Sequence, residues 1–183
     1  MSEIMLLFWD QLLKNNIVLI SFTAVLLIIV ETPKLRTAFK NGLIITGAMA
    51  FSALSAWIFS YYLGSADFLI PAVYFINSLI AVRLIKSGGL LQGDWIAGIK
   101  HEFIALPAVL SLQFNIIEKV NYSSQDLIII AAALTAIYFV FIVVAALKEQ
   151  LDLKESKEIF QKEYTLILVL AFLSAVMSGF DFL

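Results

Sequence analysis

Nothing limits the fold of this chain more than six runs of sequence that hold no charged residue. They are Asn15–Val30, Asn41–Ala66, Phe68–Val82, Phe103–Ile117, Leu127–Leu147 and Tyr164–Phe180, of 16, 26, 15, 15, 21 and 17 residues. A helix that crosses the hydrocarbon of a bilayer needs about 20 apolar residues, with a range of roughly 17–25. Two runs reach that length outright. The other four fall at or below the limit, and complete a crossing if flanking Lys, Arg and Trp snorkel or sit at the interface. The runs are too long and too continuous for the alternation of a barrel strand. Charged residues make up 14% of the 183, whereas a soluble domain carries roughly a quarter. The chain reads as an all-α integral membrane protein, one polytopic domain over residues 1–183 with six transmembrane helices.

The placement of the cations predicts orientation. Lys34, Arg36 and Lys40 lie between the first and second helices, and Arg83, Lys86 and Lys100 between the third and fourth. Lys148, Lys154, Lys157 and Lys162 lie between the fifth and sixth, so only Lys14 and Lys119 remain for the opposite side. Cytoplasmic loops collect Lys and Arg, which places three basic loops in the cytoplasm and both termini outside. The first residues, MSEIMLLFWDQLLK, carry Glu3 and Asp10 where a signal peptide is basic, and no small-x-small cleavage site follows. The segment is expected to be retained.

Three helices per half make the second half, from about residue 88, enter the membrane in the opposite sense to the first. This is the arrangement of an inverted 3+3 repeat, and such repeats place sites at interrupted helices in matching positions. The first and fourth helices open the two halves, and both are short. One carries Asp10, Lys14, Asn15 and Asn16 beside its apolar run, the other Lys100, His101, Glu102 and Pro107. Proline lacks an N–H and frees a carbonyl one turn earlier, so breaks are expected in both helices. Two ordinary tilted helices with snorkelling ends explain the same pattern.

Ionisable groups within membrane segments are functional candidates by default. Asn15, Asn16, His101 and Glu102 form the candidate ion or proton path, because imidazole ordinarily titrates near neutral pH. Consecutive helical residues point in different directions, so His101 and Glu102 need not touch. Lys100, His101 and Glu102 lying at the interface as snorkelling groups is the competing reading. Asn77 and Asn115 are expected to bond between helices. Ala48, Ser52 and Ala56, and again Ala171, Ala175 and Gly179, repeat every four residues and let helices approach closely. Trp9, Trp57 and Trp95 read as interfacial anchors or packing residues. The chain has no Cys, which excludes disulfides and thiolate metal sites, and its single His cannot alone build a zinc site. No P-loop or Ser–His–Asp order is present, and nothing points to nucleic acid.

Asn15-Asn16-Ile17-Val18-Leu19, followed by the basic loop Thr32-Pro33-Lys34-Leu35-Arg36-Thr37-Ala38-Phe39-Lys40-Asn41-Gly42, resembles the opening of the six-helix membrane subunits of Rnf and Nqr complexes. The likeness returns at Ala97-Gly98-Ile99, Pro107-Ala108-Val109-Leu110, Leu147-Lys148-Glu149-Gln150-Leu151 and Met177-Ser178-Gly179-Phe180, and is closest to the RnfA/NqrE type. The resemblance implies a subunit of an inner-membrane complex that couples electron transfer to Na⁺ or H⁺ translocation. It also implies a sister six-helix subunit, with flavin and Fe–S groups in partner subunits. In that family cysteines of the two half-helices hold a mid-membrane cluster. Here those positions fall near Leu26 and at Pro107 or Ala108, so this chain alone binds no such cofactor. A non-redox transporter or channel of the same fold, and a structural scaffold, are the alternatives.

Overall fold

A computed structural model describes residues 3–13, 27–28, 31, 35–63, 67–92, 100–119, 125–153, 167–169 and 171. These residues form five α-helices: α1 (Glu3–Leu13), α2 (Leu35–Leu63), α3 (Ile70–Ser87), α4 (His101–Lys119) and α5 (Asp126–Leu153). A 3-10 turn over Asp67–Leu69 leads into α3, where Pro71 occupies the first turn and so costs no hydrogen bond. No β-strand occurs among the described residues.

Helices α2, α3 and α5 are long and apolar enough to cross a membrane. At 1.5 Å per residue, α2 and α5 are each more than 40 Å long, by a rough count, and α3 about 27 Å. The hydrocarbon core is about 30 Å thick, so α2 and α5 reach well beyond it. The expected second, third and fifth crossings thus coincide with α2, α3 and α5, and the fourth charge-free run falls on α4, which is not among these three. The helices overrun the charge-free runs because a backbone ladder does not stop where a Lys or Glu begins to face water. The first and sixth runs lie almost wholly outside the described residues, as do Asn15, Asn16, Leu26, Trp95 and Gly179.

Two hydrogen bonds fix the antiparallel pairing of α2 with α5. The Leu35 N–H donates to Glu149 Oε2 at one end (3.3 Å), and Trp57 Nε1–H donates to Asp126 Oδ2 at the other (3.1 Å). Between them Gly42 brings the backbone of α2 onto the rings of Tyr138 and Phe141. A Cβ there would sit 3.1 Å from the Tyr138 ring. Helix α4 is antiparallel to α3, since Glu102 pairs with Lys86 while Gln113 reaches Tyr74 and Ser78. Adjacent helices therefore alternate in direction through α2, α3, α4 and α5.

The core is built from small residues on the facing sides. Ala48, Ser52 and Ala56 are all buried on α2, as their four-residue spacing requires, together with Ile45, Met49 and Ala53. Opposite them lie Ala81 and Ile85 of α3, Ala105, Val109 and Leu112 of α4, and Ala133, Ile137 and Val144 of α5. Leu27 and Ile28 join the same cluster. The large apolar side chains point outward instead: Leu43, Phe51, Ile58, Phe59, Phe75, Ile76, Phe103 and Phe139 are exposed. Exposed apolar surface on that scale suits lipid rather than water.

The break expected at Pro107 is absent. Helix α4 runs unbroken from His101 to Lys119 with Pro107 inside it. The ring sits on an exposed side of the helix, so it removes one N–H without forcing backbone into the core. The N-terminal residues add a helix that the apolar runs did not mark. Helix α1 lies on the Asp126 end of α5, where Ile4, Met5, Phe8 and Trp9 face Leu127, Ile128 and Ala131 across an open apolar pocket of about 540 Å³.

Candidate functional site

Acidic and basic groups gather at one end of the bundle. His101, the first residue of α4, turns inward and its Nδ1 lies 2.6 Å from Glu31 Oε1, with side-chain exposures of 16% and 8%. Glu31 is held in place from the other side as well, because Asn41 of α2 donates from Nδ2 to its backbone carbonyl at 3.5 Å. A carboxylate taken out of water is costly unless it is paired and hydrogen-bonded. The imidazole meets that need in either form. As neutral ring it donates one hydrogen bond, and as imidazolium it supplies the countercharge too.

Glu102, one residue on, points the other way. Its carboxylate bonds the Lys86 ammonium of α3 at the exposed rim. It lies outside the charge-free crossing. The hydrogen bond from Lys86 holds its carboxyl below the usual range, partial desolvation opposes this, and the charges of Lys86, Lys100 and Arg83 add to the lowering. The structure thus separates the pair that the sequence placed side by side. His101 belongs to a buried acid–imidazole contact, and Glu102 to an exposed salt bridge of the snorkelling kind. Asn15 and Asn16, the other members of the expected path, lie outside the described residues.

A second polar cluster is buried deeper, where α2, α3 and α4 meet. Gln113, fully buried, has its amide 2.6 Å from Ser52 Oγ, 2.7 Å from Ser78 Oγ and 3.3 Å from the Tyr74 carbonyl. The two short contacts have the length of O–H···O rather than N–H···O bonds, and an amide nitrogen has two hydrogens for three acceptors. The chemistry fits an amide turned so that its oxygen accepts from both seryl hydroxyls. Either way round, one end of the amide has no partner among the described residues. The buried Asn77 Nδ2 and Thr46 Oγ1 have none either among the described residues. One turn further out, Ser60 Oγ and Tyr74 Oη share a 2.7 Å hydrogen bond.

Comparison with protein-family models, with curated proteins and with solved structures finds no match. The Rnf/Nqr likeness therefore rests on the residues that suggested it. The chain offers no cysteine thiolate to an iron–sulfur cluster. At the two family positions Pro107 is exposed and Ala108 buried, while Leu26 lies outside the described residues. No group of three His, Cys, Asp or Glu gathers among the described residues to hold a metal ion.

Several of these residues carry no signal in the sequence. Glu31 ends an apolar run ahead of Thr-Pro and looks like an interfacial charge, and its partner is 70 residues away. Gln113 is one amide in an apolar helix. Asp126 reads as an ordinary first-turn acid of α5, yet it is 1% exposed and bonded to Trp57. Trp57 is accordingly a packing residue with a polar partner. Of the expected interhelical asparagines, Asn77 is buried, whereas Asn115 donates to the Ser111 carbonyl of its own helix.

Proposed function

We propose that this chain is an integral membrane subunit of an ion-translocating complex of the Rnf/Nqr kind, seated in the inner membrane beside a sister six-helix subunit. In this reading the Glu31–His101 pair takes up a proton, or a Na⁺ that replaces it, on the side of the basic loops. The observation that carries the reading is the buried acid–imidazole contact itself. It joins the end of the first apolar run to the start of the fourth, the two runs that open the halves of the expected inverted repeat. At the same end of the bundle, Lys86 and Glu102 form an exposed bridge with Lys100 and Arg83 charged nearby. Any redox groups, flavin and Fe–S, belong to partner subunits, and this chain contributes the frame and the ion path.

Purification of the native protein in mild detergent tests the reading. Co-purifying membrane proteins with bound flavin and iron, and loss of cation movement in Glu31→Gln and His101→Asn complexes that still assemble, are expected. Purification alone, without flavin or iron, would overturn the redox assignment. The buried Gln113 cluster favours a second reading, a non-redox transporter or channel. Movement of a small polar solute by the isolated protein, abolished by Gln113→Leu, would select it. A scaffold would show neither.

A further inference from the structure

We propose that the outer face of α3 and the start of α4 form a binding site for one anionic phospholipid. Leu79, Ile80, Val82, Arg83, Lys86 and Glu102 line an open pocket of about 410 Å³. Its composition is graded along the helix. Phe75, Ile76, Leu79 and Ile80 form an exposed apolar stripe, and Arg83 and Lys86 follow at the basic end. From Phe75 to Arg83 the helix rises about 12 Å, close to the roughly 15 Å of hydrocarbon in one leaflet. An acyl chain laid along the stripe brings its phosphate to the two cations.

The charges favour an anion. Lys86 already carries Glu102 as its partner, while Arg83 has no hydrogen-bond or ion-pair partner among the described residues and is exposed. Its planar fork of donors suits a phosphate held at two oxygens. Lys100 adds charge near the same rim, as its effect on Glu102 shows. Three cations against one carboxylate leave a net positive mouth above an apolar floor. Basic pockets between helices at the membrane surface suit anionic headgroups in this way. The site depends on the membrane placement of α3 and not on the translocation reading.

The full chain is purified in a zwitterionic detergent and mixed with phosphatidylglycerol, with phosphatidylcholine, or with soluble glycerol phosphate, and bound ligand is counted by native mass spectrometry. The wild-type protein is expected to retain one phosphatidylglycerol in preference to phosphatidylcholine. Arg83→Gln is expected to lower that occupancy about tenfold, the scale of one charge-assisted hydrogen-bond pair. Arg36→Gln, which removes an exposed cation outside the pocket, is expected to change nothing. Leu79→Ser is expected to weaken retention of both lipids and keep the headgroup preference. Equal losses from Arg83→Gln and Arg36→Gln would mean diffuse attraction and overturn the site. Full displacement of the lipid by glycerol phosphate would do so too, because the apolar floor would then contribute nothing. Circular dichroism of each variant confirms that the helices remain.

Discussion

Gly47 and Gly89 make opposite demands on the backbone. Gly47 sits mid-helix in α2, and no atom lies within 4 Å of where a Cβ would stand, so Gly47→Ala meets no neighbour and relieves the helix of a poor former. A gain of about 0.5–1 kcal/mol is expected, read as a higher melting temperature in mild detergent. Gly89 has φ +88°, so Gly89→Ala is expected to cost roughly 1–2 kcal/mol despite open space around it. The same melt checks the opposite sign. Trp57→Phe keeps an aromatic ring in place but removes one donor from the buried Asp126 carboxylate. Its expected cost is about 1–3 kcal/mol, and Asp126→Asn should then restore part of it, since a neutral amide tolerates the loss better. The partners of Trp57 and Glu31 are not legible in the sequence, because they lie 69 and 70 residues away. His101 stands out in the sequence as the chain's single histidine, set between Lys100 and Glu102 at the edge of an apolar run.

At the level of single helices, Pro107 carries the clearest consequence. With α4 continuous, the ring leaves the Phe103 carbonyl without its N–H partner. Pro107→Ala is expected to raise stability by roughly 1–3 kcal/mol. A fall in the melting temperature would instead mean that the chain relies on an interruption there. The Lys86–Glu102 bridge ties the end of α3 to the start of α4. Because the folded carboxyl of Glu102 lies below its ordinary value, the bridge stabilises above the unfolded pKa and its contribution disappears as pH falls through the folded one. Glu102→Gln should therefore lower the neutral plateau of a stability-against-pH profile slightly and flatten its acid limb, so that the two curves meet at low pH. The helices themselves are readable, since α2 to α5 fall on four of the uncharged runs, and three of them, α2, α3 and α5, are long and apolar enough to cross a membrane. Their ends are less so. Helix α2 begins at Leu35, ahead of Arg36 and Lys40, where charge cannot mark the boundary. Helix α1 leaves no such mark, because Glu3 and Asp10 interrupt its apolar content.

For the molecule as a whole, the alternation of α2 to α5 collects Glu31, Lys86, His101, Glu102 and Glu149 at one end and Trp57 and Asp126 at the other. The basic loops expected on the cytoplasmic side attach to the first of these ends. The cation pattern and the buried Glu31–His101 contact are separate observations that fall at the same end of the bundle, the end at which the proposed ion path opens. The central claim is that this pair exchanges protons with the basic-loop side alone. The chain has one histidine, so a single ¹⁵N-labelled imidazole can be followed by NMR in proteoliposomes of one orientation while pH is stepped on either side in turn. The account predicts that the His101 signal responds to a step on the basic-loop side, that the opposite side leaves it unchanged, and that Glu31→Gln alters the response. A signal that follows the opposite side, alone or together with the basic-loop side, or that follows neither, would contradict it.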